Sequence, residues 1–294
     1  MIASTYKGLF LKAFIGLLLL SIASIALYSY HILNKQHFAK ARTLHIKEGT
    51  SLTGVVRQLY ENNIVNDPLT TRILLQGLGF QRKLRAGVYD ITPGETLLKL
   101  INKISEGKEK LFSFTIVEGH NFKELIKNIE STQSISSEDI LDLSEHELNA
   151  ALGIEVSSPE GLFFPDTYHY PWGTTAFSLL RLSKEKMEEI IKVEWRDRSP
   201  NLAFSSKYEA LVLASIIEKE TANPAERTMI SGVFSNRLSK RMRLQSDPTV
   251  IYGLGNLYNG NLKKIHLKQW TPYNTYKIKG LPPTPIAMPG RDSI

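Results

Sequence analysis

The residues best suited to chemistry are two glutamates at the end of an apolar run. Within SSKYEALVLASIIEKETANPAERTMISGVFSNRL, residues 205–238, positions 210–217 are almost wholly apolar and are followed by Glu218 and Glu220. Ser206 and Glu209 form a capping-box pattern, so a helix is expected to begin at Lys207 and to be buried nearly all round. Asn223 precedes Pro224 and is steered out of the helical region, which ends that helix near Ala222. Asn223 can then cap a second helix with Pro224 at its first position and Glu226 at its third. Residues two apart on a helix point roughly 200° from one another, so Glu218 and Glu220 cannot serve one site together. Glu218 directly follows the buried run and shares a face with Ala214, Thr221 and Ala222. A carboxyl group partly withdrawn from water there has the setting of a general acid. The blander alternative is a helix-end glutamate that is solvated or paired with a base.

Polar side chains downstream are candidates to hold a substrate. In RMRLQSDPTVIYGLG, residues 241–255, Asp247 is expected to cap a helix whose first residue is Pro248, with Gly253 or Gly255 as its stop. Gln245 and Ser246 are exposed polar groups at that turn. The stretch WTPYNTYKIKGLPPTPIAMPG, residues 270–290, is extended and stiff, and Tyr273, Asn274, Thr275 and Tyr276 suit a groove for a polar polymer such as a glycan. A hydrolase pairing Glu218 with Asp247 is a further reading. No phosphate loop, HExxH or GxSxG occurs, which argues against nucleotide, zinc or serine-hydrolase chemistry. The absence of cysteine excludes a disulfide scaffold, a thiolate metal site and a cysteine nucleophile.

The elements that position these residues follow from length and charge. The 294 residues, 42% of them hydrophobic, suit about two domains and fill real cores. A net charge of +7 would raise nucleic-acid binding, but its distribution argues otherwise. Residues 1–42 hold Lys7, Lys12, Lys35, Lys40 and Arg42 and no acid, which leaves only +2 for the other 252 residues. The basic cluster Arg237, Lys240, Arg241 and Arg243 has no interleaved aromatics and reads as a solvated helix end. No nucleic-acid partner is expected. Between the N-terminal charges runs AFIGLLLLSIASIALYSY, residues 13–30, extended by Ile32 and Leu33. It spans roughly 27–30 Å as a helix, close to a bilayer's hydrocarbon core. A membrane anchor is favoured over a signal peptide cleaved near Ser24-Ile25-Ala26, because the apolar stretch continues past that point. Basic residues flank both ends, so charge alone does not orient it.

Residues 43–133 carry a weak threefold repeat. Gly49, Gly94 and Gly119 each follow a strand-like piece (LHIKEG, VYDITPG, FTIVEGH), and a polar cap (Ser51, Thr96, Asn121) and apolar residues at helical spacing come next. The unit is strand, glycine turn, cap and amphipathic helix, which suits a small α+β module. The region shows no clustered carboxylates or histidines and is assigned to binding or positioning. Residues 134–160 read as a solvated helical connection, 160–175 as a rigid aromatic turn and 176–194 as an amphipathic packing helix.

Six blocks carry a family resemblance: EGLFFPDTY (160–168), ASIIEKET (214–221), VFSNRL (233–238), RLQSDPTVIYGLG (243–255), YNTY (273–276) and GLPPTPIAMPGRDSI (280–294). They resemble the signature blocks of the endolytic murein transglycosylases, the MltG or YceG-like family, and the resemblance covers nearly the whole chain. It implies an α+β protein with a cytoplasmic tail (1–12), a transmembrane helix (13–33), a LysM-like glycan-positioning region (43–133) and a mixed α+β catalytic domain (155–294). It implies a single-pass protein of the cell inner membrane, with residues after about 33 in the periplasm. The implied substrate is the nascent glycan strand of peptidoglycan, whose elongation cleavage ends, and peptidoglycan synthases are implied neighbours. The family's catalytic glutamate falls on Glu218.

The implied reaction is lytic. An ordinary retaining glycosidase needs two carboxylates, whereas here one acid suffices. Glu218 would protonate the oxygen between N-acetylmuramic acid and N-acetylglucosamine. It would then accept a proton as the muramoyl C6 hydroxyl attacks C1, leaving a 1,6-anhydro end. No metal or cofactor is needed. Gln245, Asp247, Asn274, Thr275, Tyr276 and Glu220 are the expected sugar-holding or orienting residues. Family members usually continue past PGRDSI, so the resemblance also implies a catalytic domain C-terminally incomplete at Ile294. The competing function is a non-catalytic LysM-type cell-wall binding or scaffold protein near the synthases.

Overall fold

The structure, a computed structural model, describes residues 2–35 and 41–294. Lys40 of the basic flank lies outside the described residues. Helix α1, Ile2–Asn34, includes a stretch, Leu11–Asn34, that is long and apolar enough to cross a membrane, with a mean hydropathy of 2.1. Leu17, Leu20 and Leu27 on it are exposed, a surface that suits lipid better than water.

The chain forms two compact units that divide between Leu111 and Phe112. In the first, β1 (Arg42–Ile46) leads through α2 (Leu52–Glu61) and α3 (Pro68–Gly77) to β2 (Gly87–Ile91), and α4 (Leu97–Glu106) follows. Strands β1 and β2 pair antiparallel with Leu44 opposite Tyr89. Alternation along β1 turns Leu44 and Ile46 inward, where they meet Val55, Val56 and Leu59 of α2, Leu75 of α3 and Leu97, Leu100, Ile101 and Ile104 of α4 in one core.

The threefold repeat is present in the backbone. Gly49, Gly94 and Gly119 have φ of +75°, +78° and +74°, a left-handed conformation that glycine adopts without penalty. Ser51, Thr96 and Asn121 each accept a backbone N–H three residues on, from Gly54, Lys99 and Glu124. The third repeat, β3 (Leu111–Thr115) with α5 (Phe122–Glu130), belongs to the second unit, so the structural boundary differs from the one expected at 133. The physical reason is packing: Phe114, Ile116, Leu125 and Ile129 share a core with Ile135, Leu148, Phe163, Tyr168 and Leu179.

Residues 134–160 are more than a solvated connection. They form β4 (Ile135–Ser136), α6 (Glu138–Leu141) and α7 (Glu145–Ala151), and they bury Ile135, Ile140, Leu148 and Leu152. Strand β5 (Thr167–Pro171) pairs with β3, and β6 (Thr174–Thr175) pairs parallel with β4. Thr175 caps α8 (Ala176–Arg196), which buries Leu179, Leu180, Ser183, Met187 and Ile191. The remaining helices are α9 (Lys207–Glu220), α10 (Pro224–Ser239), α11 (Asp247–Leu254) and α12 (Lys264–Lys268). Leu213, Ile216 and Ile217 of α9, Phe234 of α10, Leu244 and Ile286 make a further core.

One cap differs from expectation. Helix α11 begins at Asp247 itself, with Ser246 in the capping position and Pro248 second. Ser246 makes no cap bond because its hydroxyl is drawn away to Glu220, 2.8 Å off. The stop is Gly255.

Candidate active site

The site is built outward from α9. Its run Leu211–Ile217 is buried throughout, and the one polar side chain in it is Ser215. Ser215 donates to the Val212 carbonyl at 2.7 Å and accepts the Ile286 N–H at 3.0 Å. That second bond lays the irregular C-terminal stretch along the helix. Three residues further on, Glu218 meets the same stretch. Its Oε2 accepts from the Gly290 N–H at 2.9 Å and from the Ser293 hydroxyl at 2.8 Å. Its Oε1 accepts from Arg227 Nη2 at 3.2 Å, and the Glu218 side chain is only 6% exposed.

Arg227 arrives through the tight reversal anticipated from Asn223-Pro224. Asn223 accepts the Ala225 N–H at 3.2 Å, and the Thr221 hydroxyl donates to Glu226 at 2.7 Å. The chain therefore turns within three residues and places the first turn of α10 beside the last turn of α9. Arg227 is buried, its Nη1 lies 3.6 Å from Asp292, and its Nε has no hydrogen-bond partner among the described residues. Two of the three groups on Glu218, the amide and the guanidinium, can only donate.

A second carboxyl group stands at this place, and it comes from the region without clustered carboxylates that the sequence assigns to binding or positioning. The loop after β3 is strapped to the C-terminal stretch by the Gly119 N–H donating to Met288 and the Met288 N–H donating to His120, at 2.9 and 2.8 Å. Lys219 adds a bond to the Gly119 carbonyl at 3.0 Å. Glu118 thereby lies over Gly290: a β-carbon there would sit 2.0 Å from Glu118 Oε1. Burial above all, then the charges of Glu218 and Asp292, push the Glu118 carboxyl above its usual range, while Arg227 opposes them. The one local signal is the Glu-Gly dipeptide at the repeat's turn, Glu48-Gly49 recurring as Glu118-Gly119.

Beneath the same loop, Glu160 is 3% exposed and accepts the Phe122 N–H at 3.0 Å and the Tyr252 hydroxyl at 3.0 Å. Burial pushes it up to about 7.

The other expected site residues divide into two groups. Gln245 is exposed with φ of +53°, a conformation uncommon outside glycine. Exposed Asp247 accepts the Tyr276 hydroxyl at 2.7 Å, a bond that leads in raising Tyr276 to about 12, and exposed Glu220 accepts from Ser246. These four remain open to solvent at least in part. Asn274 and Thr275 are fully buried, which corrects their reading as groove residues. Asn274 donates to the carbonyls of His266, Leu267 and Gln269, and Thr275 bonds the Ser246 N–H and the Thr249 hydroxyl. Both are spent on holding the loop. Asp247 and Glu218 share no hydrogen-bond partner among the described residues. No group of three or more His, Asp or Glu side chains fit to hold a metal occurs among the described residues.

A model of the YceG-like family matches residues 44–294. The chain belongs to the YceG-like family. Similar to this YceG-like protein is the endolytic murein transglycosylase of Bacillus subtilis (strain 168), 28% identical over 270 residues, covering 85% of this chain and 73% of that one. The endolytic murein transglycosylase of Streptococcus pneumoniae (strain ATCC BAA-255 / R6) is 28% identical over 86% of this chain, which spans about half, 51%, of its length. Among solved structures, the YceG-like protein lmo1499 of Listeria monocytogenes aligns with a TM-score of 0.52 and 27% identity, over 87% of this YceG-like chain and 89% of that one.

Proposed function

We propose that this YceG-like protein is a membrane-anchored endolytic lytic transglycosylase of peptidoglycan, with Glu218 as its central proton-transfer group. The observation that carries this reading is the Glu218 carboxyl, nearly buried at the end of α9 and fixed by Arg227, Gly290 and Ser293. The relatives named endolytic murein transglycosylases support the substrate class. Cleaving the bond between N-acetylmuramic acid and N-acetylglucosamine needs an acid at the leaving oxygen and a base at the muramoyl C6 hydroxyl. The family reading gives both to Glu218: it protonates the oxygen as the C1–O bond breaks, then takes the C6 proton as O6 bonds to C1. The product is a 1,6-anhydro end, and release of the growing strand from its synthase ends its elongation.

The first unit is read as a LysM-like glycan-positioning module, supported by its strand, helix, helix, strand order with the two strands paired antiparallel. The apolar stretch of α1 supports a single-pass membrane anchor, and the family reading puts that anchor in the inner membrane with both units on the periplasmic side. Gln245, Asp247, Tyr276 and Glu220 are proposed as sugar contacts.

Digestion of purified peptidoglycan by the full chain in detergent, read by mass spectrometry, tests this function. Anhydro ends are expected and should fall about a hundredfold to ten-thousandfold in rate with Glu218→Gln. Reducing ends would point to hydrolysis, and intact glycan with retained binding to a scaffold.

A further inference from the structure

We propose that Glu118 is a second catalytic carboxyl group, which donates the proton to the glycosidic oxygen while Glu218 acts as the base toward the C6 hydroxyl. The inference rests on the function just proposed and reassigns one of its two proton transfers.

Three observations carry it. The first is access. Glu218 is 6% exposed and all its partners are within the protein, whereas Glu118 is exposed at the surface of the same site. A polymer approaching from solvent meets Glu118 first. The second is occupancy. Glu218 already receives an amide, a hydroxyl and a guanidinium, a set that suits an anion able to accept a proton. Among the described residues no hydrogen bond or ion pair engages the Glu118 carboxyl, so it is free to donate. The third is placement. Both carboxyl groups converge on Gly290, one bonded to its N–H and the other filling the space where a β-carbon would stand. Two glutamates in one site, one held by three donors and the other by none among the described residues, are the arrangement by which acid and base roles are divided.

The charged and titratable groups facing Glu118 support this division. Partial burial disfavours a negative charge on Glu118 most, Glu218 on α9 and Asp292 on the C-terminal stretch add to it, and Arg227 on α10 partly offsets them. Lys219 is engaged by the Gly119 carbonyl, and His120, next but one in the chain, has a buried Nδ1 without a hydrogen-bond partner among the described residues.

The proton balance closes without water. Glu118 gives its proton to the bridging oxygen, the C1–O pair leaves with that oxygen, and N-acetylglucosamine departs with a free hydroxyl. The C6 oxygen bonds to C1, and its proton passes to Glu218. One proton moving from Glu218 to Glu118 restores the starting state.

The test compares full-length wild type, Glu118→Gln and Glu218→Gln on peptidoglycan and on a muramoyl glycoside with a nitrophenol leaving group, which departs without a proton. Glu118→Gln should lose about a hundredfold or more on peptidoglycan, stay within a few-fold of wild type on the nitrophenyl substrate and lose the wild-type fall in rate at high pH. Glu218→Gln should fail on both. Equal losses on the two substrates for Glu118→Gln, or wild-type rate and pH profile on peptidoglycan, overturn the assignment while leaving Glu218 in place. Absence of anhydro ends from wild type itself overturns the underlying function instead. An unchanged melting temperature for Glu118→Gln is expected from its lack of partners, and a large drop would mark its role as structural and overturn the proposal.

Discussion

At the scale of single residues, Gly290 is the most exposed to a change of one atom. Its N–H holds Glu218, and an added β-carbon would meet Glu118 Oε1 at 2.0 Å and Cδ at 2.5 Å. The group in the way is the far end of a flexible side chain, so Gly290→Ala should leave the melting temperature nearly unchanged and swing Glu118 aside. Displacing a catalytic group by about an ångström costs on the order of a hundredfold in rate. Anhydro-end production by a variant that melts like wild type reads the effect, and an unaltered rate would show that the position of Glu118 is immaterial. Glu160 offers a different test. Its ordinary value is 4.5 and burial raises it to about 7. Between those values the folded chain holds a proton that the unfolded chain has lost, so stability falls as pH rises from about 4.5 to 7 and levels off above that range. The full effect is about 3 kcal/mol. Glu160→Gln can keep one oxygen where Oε2 now serves both Phe122 and Tyr252. It should match wild type at pH 4.5 and melt several degrees higher at pH 8, and a difference independent of pH would refute the assignment.

At the scale of elements, the bond between Ser215 and the Ile286 N–H is the pin that aligns the C-terminal stretch with α9. Ser215→Ala leaves that N–H buried without an acceptor, at a cost of about 1–3 kcal/mol. Because Gly290 and Ser293 reach Glu218 from the same stretch, activity should fall together with stability, most of all near the melting transition. Urea unfolding and the rate of anhydro-end formation measure the two, and a stability loss without any change in rate would show that the stretch is held independently. What could be read from the sequence follows the same division between local and distant. The turn glycines, the caps at Ser51, Thr96 and Asn121, the start of α9 at Lys207 and the Asn223-Pro224 reversal all rest on interactions within a few residues. Glu118 is invisible in the sequence because it lies 100 residues from Glu218, and the strap to Met288 and the Lys219 bond to Gly119 bring it in. Asn274 and Thr275 were misread because a polar side chain that bonds its own loop has the same sequence signature as one that bonds a sugar. Ser246 lost its capping role to Glu220, a partner 26 positions away.

At the scale of the whole molecule, each unit carries its own core, one built from residues 44–104 and the other from Phe114 onward. A fragment spanning residues 112–294 therefore retains Phe114, Ile116, Leu125 and Ile129 together with Glu118, Glu218 and their partners. A fragment beginning at 134, the boundary suggested by the repeats, discards four buried side chains from a core that still needs them. Large losses of this kind cost about 2–5 kcal/mol for each side chain, against a total stability of about 5–15 kcal/mol for a domain. The shorter fragment should be unfolded by circular dichroism, whereas the longer should show a cooperative transition. If the first unit only positions glycan, residues 112–294 should still form anhydro ends on soluble glycan strands, with the loss confined to apparent affinity. Without α1 they should also fail to sediment with vesicles that retain the full chain. A folded but wholly inactive longer fragment would place part of the chemistry in the first unit, and a folded shorter fragment would overturn the boundary at Leu111 and Phe112.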